Sequence, residues 1–150
     1  MRNNRQTDRV LGILRIPVHA RYALEGVRVL ARAHGGGPMG AEAMAKETGV
    51  PAEFLAKILT RLAAGRLLTS RRGPGGGFAL ARRPDRITVA EVLRALPGPE
   101  GEDRPCLLGH HACDSRHPCA MHDTAVEAEA AITRRLEALT LADLAAEGAV

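Results

Sequence analysis

The stretch GAEAMAKETGVPAEFLAKILTRLAAGRLL, residues 40–68, decides the fold. Its apolar residues recur with helical spacing on both sides of a tight turn at Thr48–Val50. Pro51 suits the first position of the second helix, because its missing N–H would be unsatisfied there anyway, and Gly65 is expected to end that helix. The residues expected on its buried face are Phe54, Leu55, Ile58 and Leu62. This pattern predicts a helix-turn-helix, whose second helix enters the major groove of DNA.

The segment that follows, LLTSRRGPGGGFALARR at residues 67–83, predicts two short strands over residues 67–71 and 78–81, joined by a glycine-rich loop. Such a loop can approach a narrow groove of DNA closely. The arginines that flank it are Arg71, Arg72, Arg82 and Arg83. A nucleotide-binding loop would need a Gly-Lys-Ser/Thr ending and a helix directly after it, and neither is present. The segment therefore predicts a DNA-binding wing, with a plain structural hairpin as the alternative.

Further helices are expected on both sides of this unit. Residues 18–34 have the pattern of an amphipathic helix, and Thr88 and Glu91 have capping-box spacing at the start of a helix over residues 87–96. The run from Cys119 to about Leu139 predicts a long helix with one apolar stripe. A long helix attached to a small domain usually finds a partner, so we expect a homodimer; packing on its own domain is the alternative.

The predicted fold class is therefore mainly α with a small β-hairpin wing: a winged helix-turn-helix domain followed by a long C-terminal dimerisation helix. Aromatic residues make up 2% of the chain, so the core must be aliphatic, which favours helices. The predicted division is an N-terminal extension (1–14), a winged helix-turn-helix DNA-binding domain (15–97), a cysteine-rich cluster-binding loop (98–118), and a dimerisation helix with the C-terminal tail (119–150).

Charge is distributed unevenly along the chain. Residues 1–94 contain 15 arginines and two lysines against seven acidic residues, whereas residues 95–150 contain four arginines against ten acidic residues. The N-terminal part is thus the part expected to contact phosphate, with simple solvation of the charges as the alternative. No stretch reaches the roughly 18 apolar residues that a membrane span requires, and no signal-peptide pattern is recognisable. We therefore expect a cytoplasmic protein with no membrane partner.

Three cysteines form a candidate metal site. Cys106, Cys113 and Cys119 are spaced C-x6-C-x5-C, and in a cytoplasmic protein such a cluster indicates ligands or redox groups rather than disulfides. Thiolates bind iron–sulfur clusters and also zinc, although this spacing is not the paired C-x2-C of structural zinc modules. His122, three residues after Cys119, completes a candidate set of four ligands. An enzyme that uses Cys119 as nucleophile and His122 as base is an alternative from another class, but no third orienting group can be recognised.

From about Arg15 to Leu144 the chain resembles the bacterial winged-helix regulator family that includes IscR, NsrR and RirA. The features that carry the resemblance are RYAL at residues 21–24, the recognition helix at 49–62, RGPGGGF at 72–78, ITVAEV at 87–92 and the three cysteines. The RGPGGG-aromatic wing is the strongest of these. The resemblance implies a DNA-binding transcription regulator, with repression as the expected mode, that binds a partly palindromic promoter site as a homodimer.

The resemblance also implies site residues. It places Glu53, Ala56 and Lys57 at positions whose counterparts face bases, and Arg72 and Gly73 at wing positions that reach the minor groove. Further candidate DNA-binding residues are Arg21, Tyr22 and Arg61.

For the cysteine-rich half, the resemblance implies that Cys106, Cys113 and Cys119 hold a [2Fe-2S] or [4Fe-4S] cluster. His122 falls where IscR-type members place a histidine ligand. Loss, oxidation or nitrosylation of such a cluster would alter DNA binding, so the protein would sense iron–sulfur, redox or nitric oxide status. A zinc-bound or thiol-switch winged-helix regulator without a cluster is the alternative.

Overall fold

A computed structural model of the chain describes residues 16–97, 106–110 and 113–147. The predicted N-terminal extension and parts of the cysteine-rich loop, residues 98–105 and 111–112, lie outside the described residues. The elements in the described part are α1 (Val18–Arg32), α2 (Ala41–Thr48), α3 (Ala52–Ala64), β1 (Leu68–Arg71), β2 (Gly77–Leu80), α4 (Val89–Arg94), α5 (His122–Ala138) and α6 (Leu141–Ala146). This order confirms a mainly helical fold with one small hairpin. Within these residues, no helix has the length and apolar character needed to span a bilayer.

The helix-turn-helix is formed by α2 and α3, which pack on α1. The turn between them is made at Gly49, whose φ of 73° lies in the left-handed region that glycine adopts without steric cost. The Thr48 hydroxyl donates to the carbonyl of Met44 at 2.9 Å and accepts from the Val50 N–H at 3.2 Å. Gly26 of α1 lets α3 approach closely, because a Cβ there would lie 3.3 Å from side-chain atoms of α3. The turn and this close contact fix the orientation of α3.

The buried face of α3 differs from the predicted one. Leu55, Leu59 and Leu62 are each 0% exposed, a stripe with the spacing i, i+4, i+7, whereas Ile58 is only partly buried. Phe54 is 48% exposed, so the prediction that it belongs to the buried face is wrong. The reason is geometrical: consecutive helical residues differ in direction by about 100°, so the Phe54 ring is rotated away from the core that Leu55 enters.

Helix α3 ends in a Schellman motif. The N–H of Leu67 donates to the carbonyl of Leu62, and the N–H of Arg66 donates to the carbonyl of Ala63, both at 3.0 Å. Gly65 is the C-cap residue, as the sequence predicted, but it keeps an ordinary φ of −76°. Arg66 takes the left-handed position instead, with φ 60°. This tight reversal leads α3 directly into β1, so the helix and the hairpin are closely joined.

The two strands form an antiparallel hairpin with Leu68 opposite Leu80 and Arg71 opposite Gly77. Strand β2 is tied to the segment before α2, because Met39 and Phe78 exchange two backbone hydrogen bonds of 2.8 Å. The observed strands differ from the predicted ones by one residue at the start of β1 and at each end of β2. The hairpin is thus a wing that β2 attaches to the segment leading into the helix-turn-helix.

The capping box predicted at α4 is confirmed. The N–H of Glu91 donates to the Thr88 hydroxyl at 3.2 Å, and the N–H of Thr88 donates to the Glu91 carboxylate at 2.8 Å. This backbone hydrogen bond, opposed by desolvation and supported by Arg82, holds the pKa of Glu91 below its ordinary value. Thr140 and Asp143 form a second capping box at the start of α6. Both helices therefore have defined starting points.

Helix α5 extends away from the core, and among its residues, all of which are described, none is buried. Its apolar side chains Val126 and Ile132 are 41% and 38% exposed. The N-terminal end of α5 carries the cysteine-rich loop, and its C-terminal end is held by α4 through an ion pair between Arg94 and Glu137. The helix is about 25 Å long at 1.5 Å per residue. It therefore connects the cysteine-rich loop to the helix-turn-helix part of the chain.

Helix α6 fixes the far end of α5 to the core. The N–H of Val89 donates to the carbonyl of Leu139 at 2.8 Å, and the N–H of Leu141 donates to the carbonyl of Ile87 at 2.9 Å. Leu141 is 0% exposed, and α6 packs along α1. The Arg32 guanidinium of α1 donates to carbonyls in the last turn of α6, including that of Ala145 at 3.1 Å. Helix α6 thus packs on the core through Leu141, Leu144 and Ala145.

Candidate metal centre and nucleic-acid interface

The three cysteines converge. Their sulfur atoms lie within 4.8 Å of one another, and the Sγ atoms of Cys106 and Cys119 are 3.5 Å apart. His122 adjoins the triad, with its Nδ1 3.4 Å from the Sγ of Cys113. All three cysteines are half-buried and carry free thiols. Residues separated by up to 16 positions are thus brought to one point, together with the imidazole that the sequence singled out.

Local turns position these groups. The Cys106 carbonyl accepts from the N–H of Gly109 at 2.9 Å, which closes a turn after the first cysteine. Asp114, next to Cys113, accepts from two following backbone N–H groups at 2.7 and 2.8 Å and so folds the loop toward Cys119. Helix α5 begins at His122, so Cys119 lies just before the helix rather than in its first turn as predicted. The carbonyl of Cys119 still accepts from the N–H of His122 at 3.0 Å.

The thiols differ in acidity. Desolvation acts to raise the pKa of Cys106, but the backbone N–H groups of His110 and Leu108 and the thiols of Cys119 and Cys113 together lower it to about 7. The backbone N–H of Cys119 acts to lower the pKa of Cys113, but desolvation and the sulfurs of Cys119 and Cys106 raise it above its usual value. Cys106 therefore ionises at a lower pH than Cys113. A thiol has to lose its proton before it can bind a metal as a thiolate.

The donor set fits a metal centre. Three thiolates and one imidazole are ligands for both zinc and iron–sulfur clusters. Around a single tetrahedral metal with metal–sulfur bonds of about 2.3 Å, thiolate sulfurs lie about 3.8 Å apart. The observed contact of 3.5 Å between Cys106 and Cys119 agrees with that spacing. The arrangement can therefore hold a soft metal ion or a cluster at the N-terminal end of α5.

The second candidate surface is the exposed side of α3. Glu53 and Lys57 are exposed there, and Ala56 is half-buried between them. The Lys57 ammonium lies 6.0 Å from the centroid of the Phe54 ring, within the range of a cation–π contact. These residues lie in the first half of α3, the part of a recognition helix that meets base edges.

The other candidate DNA-binding residues lie on either side of the first half of α3. Arg21 is exposed in the first turn of α1, and the Tyr22 ring is half-buried with its centroid 6.4 Å from that of Phe54. Arg61 lies near the C-terminal end of α3, where its Nε donates to the carbonyl of Ala95 at 3.2 Å. Tyr22 thus joins the surface around Phe54, whereas Arg61 is engaged by its own chain.

The four arginines that flank the wing are not equivalent. Arg82 pairs with Glu91 at 2.8 Å, and Arg83 pairs with Asp85 at 2.9 Å. Arg71 and Arg72 are exposed and form no ion pair within the part of the chain that the structure describes. Gly73, next to Arg72, is exposed and has a φ of 87°. The positive charge available for a ligand is therefore concentrated at Arg71 and Arg72, a distinction that sequence reasoning missed.

Sequence reasoning also missed the exposure of Phe54. The signal was present in the spacing: Leu55, Leu59 and Leu62 alone complete a stripe at i, i+4 and i+7. A large aromatic residue that lies outside this stripe is expected to be exposed at the surface. The result is an exposed aromatic group formed by Phe54 and Tyr22 beside Lys57.

Known proteins share both the sequence and the fold. Residues 17–147 match the Rrf2 family, described as an iron-dependent transcriptional regulator. An HTH-type transcriptional regulator of Mycobacterium tuberculosis is 36% identical over 132 residues, which cover 88% of this chain and 81% of that protein. The IscR regulator of Sodalis glossinidius is 30% identical over 131 residues, covering 87% of this chain and 78% of the relative. The solved structure of CymR, the global cysteine regulator of B. subtilis, matches with a TM-score of 0.73 at 27% identity, covering 90% of this chain and 98% of that one.

The family and both sequence relatives are named as transcriptional regulators, which confirms the prediction that the chain is not an enzyme. The winged helix-turn-helix predicted from the sequence is likewise confirmed by the observed order of helices and hairpin and by the matching structure. Because the family match covers residues 17–147, the chain belongs to the Rrf2 family of winged-helix transcriptional regulators.

Proposed function

We propose that this regulator binds a promoter site as a homodimer, as a repressor, and senses iron–sulfur, redox or nitric oxide status through a cluster held by Cys106, Cys113, Cys119 and His122. The observation that carries the proposal is the convergence of the three sulfur atoms within 4.8 Å of one another, with His122 beside them. Such a regulator acts in the cytoplasm, where bacterial DNA lies.

The DNA-binding surface follows from exposure and charge. The first half of α3 would enter the major groove with Glu53, Ala56 and Lys57, and the wing would bring Arg72 and Gly73 to the adjacent minor groove. Support comes from the exposure of Lys57 and Arg72. Gly73 also has a left-handed φ, which favours glycine, so the wing tip carries no side chain at this position. The candidates at the two ends of the surface are Arg21, Tyr22 and Arg61.

The homodimer follows from α5. A helix of 17 residues without a buried side chain leaves apolar groups such as Val126 and Ile132 in solvent, which is unfavourable. Pairing with α5 of a second copy would bury them. A dimer would also present two recognition helices to the two halves of a palindromic site.

The residues around the metal centre define the switch. When bound, a cluster supplies a group that oxidants, nitric oxide or iron shortage remove or modify. The chain itself would supply the four ligands, three cysteines from the loop and the histidine that begins α5. At the other end of α5, backbone hydrogen bonds join Leu139 to Val89 and Leu141 to Ile87 of the winged-helix domain. A change in the loop would thus be transmitted along α5 to the DNA-binding part.

A second candidate is a zinc-bound or thiol-switch regulator without a cluster. It is favoured by the short Sγ–Sγ distance of 3.5 Å between Cys106 and Cys119, which suits two thiolates on a single metal ion. The same two thiols are also near enough that a two-electron oxidant such as a peroxide could join them as a disulfide after a small movement, with loss of both thiol protons. DNA binding through α3 and the wing is the same in both candidates.

Anaerobic purification distinguishes the two candidates. We expect a coloured protein that absorbs in the visible range and contains iron and acid-labile sulfide in equal amounts, because three thiolates and an imidazole ligate clusters. The replacement Cys113→Ser should abolish the colour, whereas Ser115→Ala, an exposed neighbour in the same loop, should retain it. A colourless protein with one zinc ion per chain would contradict the cluster and favour the second candidate.

A further inference from the structure

Phe54 is the most unusual residue on the DNA-facing side of the fold. The chain has few aromatic residues, yet this phenyl ring is 48% exposed on the recognition helix. Its ring centroid lies 6.4 Å from that of Tyr22, with the rings tilted by 56°, and 6.0 Å from the Lys57 ammonium. The ring therefore has two neighbours, Tyr22 and Lys57, and keeps about half of its surface exposed.

The position of the ring indicates its ligand. Phe54 is the third residue of α3, in the turn whose neighbours Glu53 and Lys57 face bases in the proposed complex. A phenyl ring cannot donate or accept conventional hydrogen bonds with base edges. The apolar group that a base presents in the major groove is the C5 methyl of thymine, and phenylalanine is one of the side chains that contact it.

We propose that Phe54 is a specificity-determining residue that recognises a thymine methyl group in each half of the DNA site. The inference rests on the proposed function and adds a base identity to it. Tyr22 acts as a positioning residue, since its ring packs beside Phe54 and limits the directions in which the phenyl group can turn. Lys57 remains beside the ring, so its ammonium can contact a neighbouring base or phosphate while Phe54 covers the methyl group.

Deoxyuridine provides the test, because it differs from thymidine by the methyl group alone. The full chain, purified anaerobically, is first used to select a tight-binding duplex from a randomised pool. Each thymine of that duplex is then replaced by deoxyuridine in turn, and affinities are measured for the unmodified protein and for Phe54→Ala, Phe54→Leu and Thr60→Ala. Thr60 is a matched control on the same helix, since it is exposed and its hydroxyl is engaged by the Ala56 carbonyl at 2.7 Å.

We expect one thymine in each half-site at which removal of the methyl group weakens binding about four-fold, the value for loss of one buried methyl group. Phe54→Ala should bind the thymine duplex at least as weakly as the unmodified protein binds the deoxyuridine duplex. Its affinity should not fall further when that thymine is replaced by deoxyuridine. Phe54→Leu should retain part of the response, and Thr60→Ala all of it.

Equal affinity for thymine and deoxyuridine duplexes at every position, or an unchanged deoxyuridine response in Phe54→Ala, would overturn the inference while leaving DNA binding intact. Failure to select any duplex would instead reject the proposed function, and the inference with it. Thermal unfolding of each variant, measured in parallel, should be unchanged within a few degrees because Phe54 and Thr60 are exposed.

Discussion

Replacing Arg72 by alanine is expected to weaken binding of the tight-binding duplex selected from a randomised pool about 30-fold. The proposed dimer contains two copies of the wing, and loss of one charge-assisted contact from each costs about 1 kcal/mol or more per wing. The guanidinium of Arg72 is exposed and forms no ion pair within the described residues, so it is available for DNA. Titration of a labelled duplex at constant ionic strength measures the effect.

Arg83→Ala is the matched control, because it removes the same charge from the same wing. The Arg83 guanidinium is already engaged by both oxygens of Asp85, at 2.9 and 3.1 Å. We expect its removal to weaken binding less than about three-fold, as an exposed ion pair of this kind contributes little. Equal losses for the two variants would show that the wing acts through its net charge and that Arg72 has no specific contact.

Replacing Gly77 by alanine is expected to destabilise the fold by about 3 kcal/mol. The φ of Gly77 is 133°, which side chains rarely adopt, and a Cβ there would lie 2.4 Å from the backbone carbonyl group of Met39. This contact is with backbone beside β2, where Met39 and Phe78 exchange hydrogen bonds, so it cannot be relieved by a side-chain rotation. Urea unfolding followed by circular dichroism measures the loss.

Gly75→Ala separates overlap from backbone strain. Gly75 lies in the adjoining loop, two residues before Gly77, with φ 72°, but a Cβ there would meet nothing within 4 Å among the described atoms. This variant should lose only about 1 kcal/mol, the cost of a left-handed conformation for a residue with a side chain. If the two variants were equally stable, the close packing of Gly77 against Met39 would be contradicted.

Elements with strong local signals could be predicted from the sequence. The capping box at Thr88 and Glu91, the turn at Gly49 and the glycine-rich hairpin each depend on residues near one another in the chain, and each is present. The cysteines and His122 could be grouped because their chemistry is distinctive and they lie within a short segment. Local sequence patterns were therefore sufficient to predict the fold class and the candidate metal ligands.

Features that depend on distant partners could not be predicted. Whether a wing arginine is available depends on carboxylates elsewhere: Arg82 pairs with Glu91 in α4, and the sequence gives no sign of that pairing. The packing of α6 on α1 depends on the burial of Leu141 and on the bonds from Arg32. The predicted face of α3 wrongly includes Phe54, because an apolar side chain next to Leu55 fits a buried face by composition although it lies outside the i, i+4, i+7 stripe.

The arrangement of these parts gives the proposal its mechanism. Helix α5 begins at His122 beside the three cysteines. Its other end is followed by α6, which packs on α1, and α1 in turn packs on the helix-turn-helix. A cluster that orders the loop would thereby favour one orientation of the two DNA-binding domains in the proposed dimer. The coupling expected for such a connection corresponds to a change in DNA affinity of about ten-fold.

The most direct measurement compares the affinity of one selected duplex for anaerobically purified protein and for the same protein after chelation has removed its metal. Both forms are measured at the same low ionic strength. An affinity change of about ten-fold, abolished in Cys113→Ser, is the result we predict. Identical affinities for the two forms, or no binding of any duplex by either, would contradict a switch at the cysteines that acts on a DNA-reading winged helix.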